Sequence, residues 1–248
     1  MRKLIIDTDP GQDDAVAILL ALASPEFDLL GITTVAGNVP LNLTTLNARK
    51  ICDLAGRSDC FVFAGQHRPM ARPLITAEHV HGRTGLDGTD MPPPQTPLQD
   101  TPAVSFLIDS IRENSVGAVT IATLGPLTNL GFAFQRAPDI ASRIGQVVMM
   151  GGGFFEGGNI TVAAEFNIFV DPEAAEITLR SGVPIVMMPL DVTHKVLTCK
   201  QRIERFATLG NETGRQVANM LSFSERFDEE KYGADGGPLH DPCTIAWL

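Results

Sequence analysis

The stretch Asp7-Thr8-Asp9-Pro10-Gly11-Gln12-Asp13-Asp14 puts four carboxylates into eight residues, just ahead of an apolar run. Like charges at such spacing raise one another's pKa, so a compact cluster of this kind needs a cation or a shared proton. No lysine or arginine occurs between Lys3 and Arg49 to supply that charge locally. A bound divalent cation is the simplest remedy, and ligands that are all oxygen favour Ca²⁺ or Mg²⁺ over zinc. The bland alternative is that the acids cap the following helix and pair with distant arginines. A lone Asp favours that alternative; the DxDxxxDD spacing favours a functional site.

Three further polar stretches fall at the ends of apolar runs: Gly37-Asn38, Leu124-Gly125, and the segment from Gly151 to Glu165-Phe166-Asn167. Asn38 and Asn159 taken singly are ordinary turn residues. Together these stretches offer carbonyl, amide and carboxylate groups that suit a polyhydroxylated ligand such as a sugar. His240-Asp241 pairs a proton carrier with a further acid, and the Asp is also a candidate metal ligand. His79 and His81 lie in a long irregular stretch where they can face a cleft, whereas His67 and His194 lack local companions. Gly151-Gly152-Gly153 does not have the spacing of a dinucleotide fingerprint, and no Walker, GxSxG or HExxH sequence is present. Acyl transfer and nucleotide hydrolysis of the common types lose ground accordingly.

The elements that must position these residues follow from periodicity. Lys3–Ile6 reads as a short strand, Ala15–Ala23 as a helix apolar on every side, Leu29–Val35 as a buried strand, Leu41–Leu54 as a helix and Cys60–Phe63 as a strand. From Gly65 to Asp100 the pattern breaks into Gly, Pro, Thr and His, which marks a functional loop or a lid. Helices at Ala103–Arg112, Thr128–Arg136 and Pro172–Ser181 then alternate with strands at Ala118–Thr123, Gln146–Met150 and Pro184–Met188, and the rest is mostly helical up to His240. The final Thr244–Leu248 reads as a helix barely begun. Short strands alternating with helices predict an α/β fold, Rossmann-like, with a mainly parallel sheet and helices on both faces. No repeat or linker divides the chain, so residues 1–248 are expected to form a single domain. In such sheets ligands bind beyond the carboxyl ends of the strands, where all the polar stretches above are expected to meet.

Composition narrows the partners. The 248 residues carry 19 Lys+Arg against 29 Asp+Glu, a net charge of −10 that repels phosphate backbones and anionic membranes. The longest apolar run, Ala15–Ala23, is too short to cross a bilayer, and Met1-Arg2-Lys3 precedes only Leu4-Ile5-Ile6 before Asp7, so a secretory leader is not expected. Four cysteines without a CxxC pair fit reduced, mostly buried thiols in a cytoplasmic protein.

These segments, read in order, resemble the nucleoside hydrolases, the inosine–uridine preferring type in particular. The likeness runs from Asp7-Thr8-Asp9-Pro10-Gly11-Gln12-Asp13-Asp14-Ala15 through Thr33-Thr34-Val35-Ala36-Gly37-Asn38, His81-Gly82 and Gly125-Pro126-Leu127-Thr128-Asn129. It continues with Met149-Met150-Gly151-Gly152-Gly153, Ala164-Glu165-Phe166-Asn167, Asp171-Pro172-Glu173-Ala174-Ala175 and His240-Asp241-Pro242-Cys243. The resemblance implies Ca²⁺-dependent hydrolysis of the N-glycosidic bond of purine or pyrimidine ribonucleosides, in nucleoside salvage. It implies that Asp9, Asp14, Asp241 and the backbone carbonyl of Leu124 hold the ion, with Asp13 as general base. Asn38, Met150, Asn159, Glu165 and Asn167 would line the ribose pocket, while His81, Phe166 and His240 would face the base, His240 serving the leaving group. The region around Tyr232 is expected to join the base pocket, and a homodimer or homotetramer is implied. Family members continue past His240-Asp241-Pro242-Cys243 with further strands and a closing helix, so this chain is expected to lack a C-terminal segment of the family. That departure keeps a catalytically weak or inactive nucleoside- or ribose-binding protein in view. A haloacid-dehalogenase-like phosphatase also begins with acids after the first strand. It fits worse, since Gly11 stands where Thr or Val is expected and the pair Asp13-Asp14 follows too soon.

Overall fold

The first strand, β1 (Arg2–Thr8), is buried from Leu4 onward. Its side chains alternate between two cores: Ile5 joins one apolar cluster, while Leu4 and Ile6 join another on the opposite face. β1 is thus a central strand covered on both sides, and the rest of the sheet follows from that. The computed structural model describes residues 1–232 and 236–248, with the side chains of 1–227 and 236–248.

Six more strands complete the sheet: β2 (Phe27–Thr34), β3 (Val62–Ala64), β4 (Leu98–Gln99), β5 (Val119–Thr123), β6 (Gln146–Met150) and β7 (Ile185–Met188). Their order is β4-β3-β2-β1-β5-β6-β7, and every pairing is parallel. Parallel neighbours require crossovers, which are helical here except from β3 to β4, where a long stretch holds a single helical turn. The helices are α1 (Gln12–Ala23), α2 (Leu41–Leu54), α3 (Glu78–His81), α4 (Ala103–Glu113), α5 (Thr128–Arg136), α6 (Phe166–Val170), α7 (Pro172–Arg180), α8 (Leu190–Thr193), α9 (Lys200–Ala207), α10 (Glu212–Tyr232) and α11 (Pro242–Trp247). Leu107 and Ile111 of α4, Leu130 and Phe134 of α5 and Ala174 of α7 pack on the Ile5 face. Ile18 of α1, Ile51 of α2, Met220 of α10 and Ile245 of α11 pack on the Leu4 face. The expected α/β architecture, with helices on both faces, is what the chain adopts.

The differences from expectation are local. Helix α1 begins at Gln12, so Asp13 and Asp14 lie inside its first turn. It is enclosed by the sheet and its helical neighbours except at Leu20, which is 42% exposed, and at its last residue, Ala23. The Gly65–Asp100 stretch contains the one-turn α3 and the two-residue edge strand β4. A short antiparallel ribbon, β8 (Leu197–Thr198) with β9 (Gly237–Pro238), interrupts the helical end of the chain. Two residues per strand carry no readable period, so the sequence concealed it. Only Cys52 and Cys60 are buried; Cys199 and Cys243 are partly exposed, and all four thiols are free. Among the described residues no helix is long and apolar enough to cross a membrane.

Strand order reverses between β1 and β5: the chain winds outward through β2, β3 and β4 on one side and through β6 and β7 on the other. That reversal opens a crevice at the carboxyl ends of β1 and β5. Asp9 and Leu124 each leave their strands there, tied by a hydrogen bond from Leu124 N to Asp7 O of 2.8 Å.

Candidate active site

Asp9 follows the end of β1 and is wholly buried. Its Oδ2 accepts the Asn38 backbone N–H at 2.7 Å, which ties it to the turn after β2. Two glycines make room for the carboxylate. A Cβ on Gly37 would lie 2.0 Å from Asp9 Oδ2, and one on Gly125 would lie 2.2 Å from Asp9 Oδ1. Asp14 is likewise buried and accepts three bonds: Thr8 Oγ1 at 2.5 Å, Gly11 N at 2.9 Å and Asn38 Nδ2 at 3.2 Å. The Gly11 bond closes the first turn of α1, so Asp14 does cap its own helix, as the bland alternative supposed. No lysine or arginine pairs with any acid of this cluster among the described residues, contrary to the other half of that alternative.

Asp241 arrives from the far end of the sequence. Pro242 occupies the first position of α11, where its missing N–H costs nothing, and Asp241 sits at the N-cap. Carboxylate oxygens of Asp13, Asp14 and Asp241 all lie within 4.8 Å of one another. Asp9 stands beside this trio: Asn38 Nδ2 bridges from Asp14 Oδ2 to the Asp9 carbonyl, at 3.2 and 3.1 Å.

Burial and mutual repulsion dominate the electrostatics. Burial raises Asp14 to about 6, with Asp13 adding to it and the Thr8 hydroxyl and Gly11 amide opposing. Burial also holds Asp9 well above the carboxylate range, reinforced by Asp14, and Asp241 likewise, reinforced by Asp13 and Asp14. Asp9 Oδ1 is buried with no hydrogen-bond partner. Crowded carboxylates, an orphaned buried oxygen and an all-oxygen donor set fit a hard divalent cation.

Above these acids opens a cleft that is partly open to solvent. Asp13, Asn38, His81, Leu124, Met150, Asn159, Glu165, Phe166, Asn167, His240 and Asp241 all line it. Asp9 and Asp14 are sealed beneath, so every site residue expected from sequence gathers in one place. Several lining residues are also braced by the scaffold. Asn167 Nδ2 donates to the Leu124 carbonyl at 2.8 Å, which leaves that oxygen one further lone pair. Glu165 caps α6: its Oε1 accepts Asn167 N at 3.0 Å, and its Oε2 accepts Gly152 N at 3.0 Å and Ile168 N at 3.3 Å. Burial lifts Glu165 to about 7 against those donors. Asn159 Oδ1 accepts Phe166 N at 2.8 Å. His240 Nδ1 meets the Thr193 hydroxyl at 2.7 Å.

Sequence reading missed several participants. His194 seemed isolated, yet its ring centroid lies 5.9 Å from that of His240 and its Nδ1 is 3.3 Å from Glu156 Oε2. Leu221, Ser224 and Phe227 of α10 form a wall of the cleft, and Phe227 meets His79 edge-on at 5.7 Å. A helical stripe of that kind reads as core, so its sequence carried no signal. His67 is exposed and away from the cleft. The side chain of Tyr232 lies outside the described residues.

Comparison with known proteins gives the same picture. The profile of the inosine-uridine preferring nucleoside hydrolases matches residues 4–248. An uncharacterized protein of Schizosaccharomyces pombe is 55% identical over 246 residues, covering 99% of this chain and 79% of the relative. The pyrimidine-specific ribonucleoside hydrolase RihA of Escherichia coli is 47% identical over 246 residues, covering 99% of this chain and 78% of the relative. The solved purine-preferring ribonucleoside hydrolase from Gardnerella vaginalis superposes with a TM-score of 0.95 at 35% identity, over 99% of this chain and 79% of that one. Acids from both ends of the chain meeting under an amide-lined cleft at the β1/β5 crevice therefore have a family: the chain belongs to the inosine-uridine preferring nucleoside hydrolases, which are N-glycosyl hydrolases.

Proposed function

We propose that the chain releases ribose and free base from ribonucleosides in salvage, with Ca²⁺ held by Asp9, Asp14, Asp241 and the Leu124 carbonyl. The convergence of Asp13, Asp14 and Asp241 carries the reading, because nothing but a cation or shared protons makes that crowding tolerable. When bound, the ion offsets the buried negative charge and acidifies a water in its sphere.

Asp13 is the acid of the trio that lines the cleft with least burial, and it serves as the general base that takes the proton of the attacking water. As the C–N bond breaks, the ribosyl group gains oxocarbenium character, which the surrounding carboxylate and amide oxygens favour. Asn38, Met150, Asn159, Glu165 and Asn167 frame the ribose. His240, oriented through Thr193, donates to the departing base, with His81 and Phe166 beside it. The two named relatives differ in base preference, so the base is not fixed by kinship.

The experiment is ribose release from inosine and uridine, with and without a calcium chelator, for the wild type and Asp13→Asn. Release that chelation abolishes, and that the variant lowers by about 10²–10⁴-fold at little changed KM, supports the reading. Full activity of Asp13→Asn refutes the base assignment. Binding of either nucleoside without product in any condition supports the alternative, a ribonucleoside-binding protein that does not turn over.

A further inference from the structure

Gln12 sits between Gly11 and Asp13 in the acid-rich turn but carries no charge, and its side chain is buried. Its Nε2 lies 3.0 Å from the His81 carbonyl oxygen and 3.5 Å from that of Asp87. Both carbonyls only accept, so the atom facing them is the amide NH₂, and the other terminal atom is the amide oxygen. That oxygen, Oε1, lies 2.7 Å from His81 Nδ1. An amide oxygen cannot donate, so Nδ1 carries a proton. The ring is pressed against the same turn: a Cβ on Gly11 would lie 2.4 Å from Nδ1. Burial pushes the His81 pKa down, with Asp13 opposing, which keeps the imidazole neutral at neutral pH. A neutral imidazole has one N–H, so Nε2 is a lone-pair acceptor, the ring nitrogen left for the cleft that His81 lines. His240 differs, because its Nδ1 partner is the Thr193 hydroxyl, which donates or accepts and fixes no tautomer.

We infer that Gln12 is a positioning residue that locks His81 in its Nδ1–H tautomer, so that His81 Nε2 accepts a hydrogen bond from a donor group of the bound nucleoside. The substrate half rests on the nucleoside reading above; the tautomer half does not. The donor is the N–H of the base or the 5′-hydroxyl of the ribose, the same chemistry from two parts of one ligand.

Nitrogen NMR of the full chain, labelled with ¹⁵N-histidine at neutral pH, reads the tautomer directly, with His81 assigned by loss of its signals in His81→Asn. The expected result is a protonated Nδ1 and a bare Nε2 in the wild type. Gln12→Met, of similar volume but without either amide bond, shifts His81 toward a tautomer mixture. In kinetics, uridine is compared with uridine methylated at N3 and with uridine lacking its 5′-hydroxyl. The analogue without the relevant donor loses roughly three- to tenfold in kcat/KM with the wild type, and Gln12→Met no longer makes that distinction. A wild-type His81 protonated at Nε2 overturns the inference whatever the activity. Equal use of all three substrates by the wild type, or discrimination unchanged in Gln12→Met, overturns its substrate half. Absence of ribose from any nucleoside refutes the nucleoside hydrolase reading and the substrate half with it, and leaves the tautomer to the NMR result.

Discussion

Asp14→Asn is expected to make the cation-free protein more stable while abolishing its response to Ca²⁺. Asp14 is held at about 6 in the folded chain against an ordinary 3.8, chiefly by burial. That difference is equivalent to roughly 3 kcal/mol for keeping the group ionised when no cation is present. The sign follows from linkage. A folded-state pKa above the unfolded value means the folded chain holds its proton more tightly, so the contribution to stability is full below about 4 and is lost as pH rises through about 6. Asparagine fits the site: its oxygen can accept from Gly11 N and Asn38 Nδ2, while its NH₂ donates to Thr8 Oγ1. Removing the charge also relieves Asp9 and Asp241, in the same direction. Urea unfolding with chelator is therefore expected to show the variant equal to the wild type near pH 4 and more stable by up to about 3 kcal/mol at neutral pH. With Ca²⁺ at a hundred times its Kd, the wild type gains about 2.7 kcal/mol and the variant does not. A variant no more stable than the wild type at neutral pH with chelator would refute the claim that these acids are held at the expense of stability.

Glu165 stands at about 7 against an ordinary 4.5, so its contribution to stability is present below about 4.5 and lost as pH rises to about 7. Glu165→Gln is expected to remove roughly 3 kcal/mol of that pH dependence in chelator, measured as the difference between wild-type and variant unfolding curves across the window; parallel curves would count against it. Gly125→Ala places a methyl 2.2 Å from Asp9 Oδ1 and is expected to weaken Ca²⁺ binding by about 10–100-fold in calorimetry, because the ligand must turn away.

The legible part of this molecule is the part where one residue type has one physical use. The strand-helix alternation was readable because the central strands β1, β5 and β6 are buried on both faces, and β6 and α5 run over the very residues that periodicity indicated. The site was readable because four acids without local cations are hard to explain otherwise. What stayed hidden is contact made by residues of ordinary appearance. Phe227 and Leu221 look like core and line the cleft, Gln12 looks like a spacer and grips His81, and Asn38 looks like a turn residue and holds two acids apart. Glu165 is a lining residue with a second use that the sequence did not show: backbone amides of α6 and Gly152 donate to both its oxygens, so it also braces the cleft it lines.

The acids of the cluster are not equivalent, and the difference lies in their donors. Asp14 receives a hydroxyl, a backbone amide and a side-chain amide, and sits in the first turn of α1, where the helix dipole favours negative charge. Asp9 receives a backbone amide on one oxygen and has an orphaned second oxygen. Asp241 feels Asp13, Asp14 and Asp9 together, and its contact with Asp14 raises its pKa further. The scaffold thus stabilises the negative form of Asp14 more than those of Asp9 and Asp241, which depend on something positive arriving. On the proposed reading, Asp14 and Asn38 would hold the site together without a cation, and Asp9 and Asp241 would give up protons on binding one. The chain that ends at Asp241's helix is therefore joined to the chain that begins at β1 by electrostatic need as much as by packing, and α11 seated on α1 through Ile245 is the apolar counterpart of that union.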